Sequence, residues 1–333
     1  MLNWSGDEPE AYLALLACAP ALALAIDRVL GEPAARWHPV TWMRRYLDWA
    51  DARLAPRRER AYVATGAQVL ARGAVTWSAA AAVVLALAWL LQTWVLAQPV
   101  WLATLALGLF LKPLLAWARV HDDTLAVERG LAEAPGAAQA QEAPPVGHDA
   151  APGSAHGLRE GAIQRLATNL SDSLVAPLFW FALLGLPGAA LFRFAHTAAA
   201  TWGRRGARSP DGVVRGGTAA GLWAVRAADA LAWLPARLTA ALIVGLGGPA
   251  ALRGLPRLPA EAARLPSTHA GWPVAAMALA LGVQLGRPGV HALNAGARTP
   301  EPADTLRACA IGSRCALVAT LLACAVLLLT LSA

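Results

Sequence analysis

Charge is scarce in this chain. Only 15% of its 333 residues are Asp, Glu, Lys or Arg, against roughly 25% in a soluble domain. Too few polar side chains exist to wrap a body of this size in water, which excludes an ordinary soluble enzyme and fits an integral membrane protein. Lysine is almost missing: Lys112 is the only one, so arginine carries the formal charge of +7. The arginines are scattered through several loops. They do not gather on one face with interleaved aromatics, which argues against a nucleic-acid partner; in a membrane protein they mark loops held in the cytoplasm. Cysteine is sparse too. Cys18, Cys309, Cys315 and Cys324 lie in or beside apolar segments and form no CxxC pair, which argues against zinc and against a disulfide framework. The first ten residues, MLNWSGDEPE, hold three acids and no base; a cleavable signal needs a basic start, so the first apolar stretch is expected to be retained. No GxxxxGK[ST] loop occurs, so any bound nucleotide is held without a P-loop. GLGGPA at 245–250 mimics a dinucleotide fingerprint, but an apolar membrane-like run precedes it.

Hydrophobic residues, at 57%, are what the chain has in abundance. Apolar runs stand at 11–26, 74–97, 100–117, 174–191, 231–247, 272–285 and 309–331. The runs at 11–26, 74–97, 100–117 and 309–331 read as firm spans. Those at 174–191 and 231–247 read as weaker: GLPG at 185–188 interrupts one and Arg237 the other, so they are expected to be paired, broken or re-entrant. Nine arginines lie between Asp27 and Arg72. That loop is expected inside the cell, with the acidic N-terminus outside. The stretch 119–133 reads as a surface helix and 158–168 as an amphipathic one. The Ala/Pro/Gly-rich stretch 134–157 reads as a flexible loop. The predicted fold class is all-α: a polytopic integral membrane protein with cytoplasmic polar loops and surface helices, a single domain over 1–333.

Four polar clusters interrupt this apolar background. In NLSDSLVAPLFW, residues 169–180, Asn169, Ser171 and Asp172 stand directly before an apolar run. One such residue suffices to cap a helix. Several together, with a carboxylate near the bilayer edge where it is costly unless partnered, point to a polar site at the membrane surface. In DRVLGEPAARWHPV, residues 27–40, Asp27, Glu32 and His38 fall within a turn-rich stretch. That set could hold Mg²⁺ or polarise a carbonyl, or be an ordinary solvated loop. Arg237 sits inside LAWLPARLTAALIV and either snorkels to the interface or binds an anion. PSTHAGWP, residues 266–273, places Ser267, His269 and Trp272 in a turn before an apolar helix; an interfacial loop with its Trp is the plain alternative.

Taken together, these strings resemble one family. DRVLGEPAARWHPVTWMRR is similar to the N-terminal signature of the CobD/CbiB family, D-x-x-L-G-D-P followed by H-P-V. ATNLSDSLVAPLFWFALLGLPGAALFRFAHT resembles its A-E-N-T-S-D-G-x-x-A-P-L-F block. RAADALAWLPARLTAALIV and PSTHAGWPVAAMALALGVQLG resemble two further blocks, in the family's order. The resemblance implies a multi-pass membrane protein of cobalamin biosynthesis, an adenosylcobinamide-phosphate synthase. That reaction is ATP-dependent amide formation between adenosylcobyric acid and aminopropanol or its phosphate. It implies ATP and Mg²⁺ as cofactors, and as partners a corrinoid, a small amino alcohol, membrane lipid and other enzymes of the same pathway. The implied location is the inner membrane, with the main polar loops cytoplasmic. Carried onto this sequence, the resemblance implies catalytic roles for Asp149, Asn169, Asp172 and Asp229. It implies substrate contacts at His38, Ser171, Arg237, Ser267 and His269, and metal contacts at Glu32 and Asp172. The chain also departs from the pattern. Thr168 stands where the family has an acid, Ser173 where it has Gly, Ala228 where it has the first of two acids, and His196 and Ala199 where it has Asn and Asp. These losses leave a second expectation, a noncatalytic membrane sensor similar to the AmpE-type signalling proteins.

Overall fold

The computed structural model describes residues 9–31, 38–54, 66–133, 155–203, 219–267, 269–287 and 291–332. Among them, thirteen α-helices follow one another: α1 (Pro9–Ala17), α2 (Ala19–Leu30), α3 (Pro39–Leu54), α4 (Gly66–Leu96), α5 (Val100–Leu111), α6 (Trp117–Glu133), α7 (Ala155–Leu170), α8 (Ala176–Trp202), α9 (Ala219–Leu246), α10 (Pro249–Gly254), α11 (Leu258–Ala262), α12 (Gly271–Leu281) and α13 (Pro302–Ser332). A single antiparallel hairpin, β1 (Leu285–Arg287) with β2 (His291–Leu293), interrupts them. The protein is all-α and polytopic. Five helical stretches are long and apolar enough to cross a bilayer: Tyr12–Leu30, Ala71–Leu96, Ala155–Trp202, Gly221–Leu246 and Pro302–Thr330.

This count revises the expectation of four firm spans at most. The apolar stretches at 174–191 and 231–247 each belong to a helix that continues into residues read from the sequence as polar loop, and the first is broken, as expected, within GLPG at Gly185. α8 runs on to Trp202, and α9 begins at Ala219. Arginine side chains are good helix formers, so charge alone does not end a helix. The return span expected over 100–117 is shorter than predicted: α5 stops at Leu111, followed by a 3₁₀ turn over Lys112–Leu114 where Pro113 sits. It becomes a sixth span only if joined with the helix that follows.

The chain forms two compact units. The first comprises Met1–Leu115, Pro177–Ala232 and Ala323–Ala333. Within it α5 packs on α2, closely because Gly108 has no side chain; a Cβ there would stand 3.0 Å from the Leu22 side chain. Lys112, at the end of α5, pairs with Asp27 of α2 at 3.4 Å, both side chains almost fully buried. α3 lays Leu47 and Ala50 against Ala80 and Ala81 of α4 and Phe194, Ala198 and Trp202 of α8. The Trp202 indole N–H donates to the Leu47 carbonyl at 3.0 Å. The α8 helix breaks at Gly185, whose φ of 68° lies in the left-handed region open to glycine. Pro187 restarts it, and the Gln92 side chain of α4 accepts the otherwise orphaned Leu186 N–H at 2.7 Å.

The second unit comprises Ala116–Ala176 and Trp233–Leu322. α12 is its centre. Ten of its eleven residues are buried, so it is hydrophobic all round because it is a core helix, too short to span. It packs against α7, α10 and α11. α6 lies on α7 through charged pairs: Arg159 forks onto Glu128 at 2.7–3.0 Å, and Arg165 reaches Asp123 at 3.1 Å.

Candidate functional site

The polar stretch that opens the apolar run at 174–191 is not a helix cap. α7 passes through it without a break into α8, and Ser171–Val175 winds as a π-helical turn. The local reason is Pro177. In an α-helix the N–H of residue 177 would bond to the Ser173 carbonyl, but proline has no N–H. The Ser173 carbonyl instead accepts the N–H of Ala116, in the segment before α6, at 3.1 Å. The Ala176 N–H bonds back five residues to the Ser171 carbonyl. One extra residue is thereby accommodated, a device found often at functional sites.

The turn is lined with polar groups that the protein buries. Ser171, Asp172 and Ser173 are each less than 5% exposed. The Asn169 amide donates to the Arg165 carbonyl at 2.9 Å and accepts from the Ser173 hydroxyl at 3.2 Å. Among the described residues the Ser171 hydroxyl has no hydrogen-bond partner. A buried hydroxyl left so costs about 1–3 kcal/mol. The Asp172 carboxylate faces His269, whose Nε2 stands 3.9 Å from its Oδ2. On the other ring nitrogen, Nδ1 of His269 lies 3.5 Å from the Ser267 hydroxyl, which also accepts the Ala270 N–H at 3.2 Å. Distances of 3.5 and 3.9 Å are longer than a formed relay requires, and such sites commonly tighten around substrate. The same turn leads into Trp272, whose N–H reaches the His269 carbonyl. Arg237 of α9 lies over the Trp272 ring at 4.5 Å and over the Trp233 ring at 3.8 Å, with one N–H on the Trp233 carbonyl at 2.8 Å.

Of the ten residues singled out from sequence, six therefore belong to the second unit: Asn169, Ser171, Asp172, Arg237, Ser267 and His269. Asp172 and His269 face each other, Ser267 adjoins His269, and Arg237 stacks on the helix that this turn opens. His38 and Asp229 belong to the first unit. There His38 caps α3: its Nδ1 accepts the Val40 N–H at 3.2 Å, with Pro39 in the first helical position. Asp229 is half-buried on α9. Glu32 and Asp149 lie outside the described residues.

Sequence reasoning missed a polar lattice in the second unit. Glu128 holds Arg159 and accepts from the Thr305 hydroxyl at 3.1 Å. Glu160 accepts the Gly286 N–H at 2.9 Å, while Gln164 donates to the Gly286 carbonyl and pairs with His291. Glu261 is buried and accepts the N–H of Asn294, a residue in the left-handed region at φ 48°. On the surface, Arg298 forks onto Asp304, and those bonds hold its guanidinium above its ordinary pKa. The available signal was charge complementarity between two amphipathic helices on either side of the 134–157 stretch, with acids at 123 and 128 and bases at 159 and 165.

Among the described residues, no three His, Cys, Asp or Glu side chains stand close enough together to hold a metal ion by themselves. That is compatible with Mg²⁺, which commonly takes one or two protein oxygens and completes its shell with water and substrate phosphates. Asp172 and the unpaired Ser171 hydroxyl offer such oxygens on one turn.

These features define a class: a polytopic helical membrane protein whose polar residues converge on a buried turn within one helical unit. The family follows from comparison with known proteins. A family model described as CobD/Cbib protein matches residues 20–318, and the chain belongs to that family. It is 34% identical to the cobalamin biosynthesis protein CobD of Rhodobacter capsulatus over 307 residues, covering 88% of this chain and 91% of the relative. It is 35% identical to the protein of that name from Chromobacterium violaceum, covering 80% of each. To the probable cobalamin biosynthesis protein CobD of Methanothermobacter thermautotrophicus it is 31% identical, covering 86% of this chain and 87% of the relative. No solved structure matches.

Proposed function

We propose that this protein acts in cobalamin biosynthesis as an ATP-dependent amide ligase, joining adenosylcobyric acid to aminopropanol or its phosphate to give adenosylcobinamide or its phosphate. Family membership supports the pathway. The observation that carries the chemistry is the buried pair Ser171 and Asp172 on a turn that helical geometry alone would not produce, with half-buried Asn169 in the helix just before it. Ligation of this kind activates a carboxylate by phosphoryl transfer from ATP. The amine nitrogen then attacks the acyl carbon, phosphate leaves, and the amine gives up a proton. The protein must neutralise charge on the phosphoryl oxygens, place the amine and accept that proton.

In this reading Asp172 and Ser171 would hold Mg²⁺. The ion supplies charge neutralisation at the transferring phosphoryl group. Asn169 orients the turn and, with Asp172, forms the catalytic pair within the second unit. Ser267 and His269 contact the substrate beside Asp172. Arg237, lying over two indole rings, presents a guanidinium to an anionic group. The site lies on the cytoplasmic side of the inner membrane, with the N-terminus outside.

The test is complementation. In a bacterial strain lacking its own adenosylcobinamide-phosphate synthase, the chain should restore cobinamide formation, read by mass spectrometry of extracted corrinoids. The Asp172→Asn variant should not. Accumulation of unligated cobyric acid with the wild-type chain expressed in the membrane would sink the ligase reading and favour a noncatalytic relative.

A further inference from the structure

The first unit carries an apolar groove that the ligase reading does not use. It has a volume of about 500 Å³ and is lined by Trp42, Met43, Val83, Leu87, Phe110 and Phe194, among others. That volume falls within the roughly 300–1,000 Å³ typical of ligand pockets. The wall contributed by α4 lies between Ala79 and Leu91, inside the span Ala71–Leu96. Val83 and Leu87 on that wall are more than half exposed, so the groove is open to whatever surrounds the helices.

α3 forms the other wall and is built differently from its neighbours. Its inner face, Met43, Tyr46, Leu47 and Ala50, packs on α4 and α8. Along the adjoining flank run Trp42, Arg45, Trp49 and Arg53, spaced three, four and four residues apart, which puts them in one stripe. Both tryptophans are half exposed, and the Arg53 guanidinium lies 4.0 Å over the Trp49 ring. Asp48, three residues after Arg45, lies at the edge of this stripe, and Asp51 falls on the opposite side of the helix. Amphipathic helices with basic residues and tryptophan beside an apolar surface seat at the headgroup level of anionic membranes.

We propose that α3 and this groove form a binding site for one anionic phospholipid. An acyl chain fills the groove between Met43, Val83, Leu87 and Phe194. The phosphate sits over Arg45 and Arg53, with Trp42 and Trp49 at the level of the glycerol. The charge stripe selects the headgroup, and the groove selects a chain-bearing ligand over a free phosphate.

The proposal is tested by native mass spectrometry of the full chain, delipidated in detergent and titrated with dioleoyl phosphatidylglycerol or dioleoyl phosphatidylcholine. The wild type should retain phosphatidylglycerol more tightly. A basic residue near an anionic surface contributes about a fivefold factor in affinity, so Arg45→Gln with Arg53→Gln should weaken phosphatidylglycerol by roughly 25-fold and leave phosphatidylcholine unchanged. Val83→Trp, which fills the groove from an exposed position, should weaken both lipids. Glycerol phosphate at millimolar concentration should displace neither. Equal retention of the two lipids by the wild type would overturn the proposal. So would displacement by glycerol phosphate, which marks a soluble-anion site, or a dimer lost on Val83→Trp, which marks the groove as a contact between copies.

Discussion

The Ala116 N–H donates to the Ser173 carbonyl at 3.1 Å, in the place that Pro177 leaves vacant. Two sequence-distant segments of the second unit are thereby stitched together at the turn that carries Asp172. Pro177 acts here by subtraction: it removes the α-helical partner of Ser173, and the backbone of the segment before α6 supplies another. The Pro177→Ala variant restores a competing N–H. It is expected to straighten the turn and swing the side chains of 171–175 by roughly 100°, one residue of helical rotation. Proline inside a helix is normally unfavourable by about 3 kcal/mol, so thermal stability in detergent should hold or rise while ligation falls at least tenfold. Unchanged activity would mean that the turn has no functional consequence.

Asp172 separates site from scaffold more directly. A carboxylate serving only as a helix cap would cost about 1 kcal/mol on removal, but this one sits mid-helix, where no cap is needed. Asp172→Asn keeps the shape and removes the charge. The expected result is an unfolding temperature within a few degrees of wild type and a ligation rate lower by about 10²–10³, the usual loss for one electrostatic contact to a transition state. His269→Gln should act on the same step, so the double variant should be scarcely slower than the worse single one, since residues acting as a unit are not additive.

Much of the architecture was legible in the sequence because hydrophobic runs announce membrane helices directly. The span boundaries were not. Arg193 and Arg226 suggested a loop across their interval, yet each lies in a helix, Arg193 with its side chain buried and Arg226 exposed. The candidate site was legible as residue types, Asn169, Ser171 and Asp172 against an apolar run. Its geometry was hidden because a π turn follows from what Pro177 lacks and from a donor more than fifty residues away. His38 reads in sequence either as a site residue or as part of a solvated loop, and that its Nδ1 caps α3 is visible only in the fold. The contact of Glu128 with Thr305 was invisible, since only tertiary packing brings α6 and α13 together.

Asp27 and Lys112, the only lysine, form an almost fully buried ion pair within the first unit. A charge taken out of water is costly unless compensated, so removing one partner is worse than removing both. Lys112→Met should lower unfolding stability by about 3–5 kcal/mol, and Asp27→Leu by a similar amount. The double variant should recover most of that loss. The measurement is denaturant or thermal unfolding in detergent of all four proteins. If the double variant is as unstable as the sum of the singles, the two charges do not depend on each other.

The break in α8 rests on a side chain from another helix. Gly185 adopts φ 68°, and a Cβ there would collide with the Gln92 amide. The same amide oxygen accepts the Leu186 N–H at 2.7 Å. In a lipid-facing protein no water can stand in for that acceptor, because each backbone N–H must find its partner within the protein. Gln92→Leu leaves the N–H orphaned and should cost about 1–3 kcal/mol. Gly185→Ala should cost at least as much, through both the left-handed backbone and the clash. Combining them relieves the clash but not the backbone strain or the orphaned donor, so the double variant should be less destabilised than the two losses added together yet remain below either single variant's wild-type parent. Additive losses in a double-mutant cycle of unfolding free energies would show that Gln92 does not brace this break.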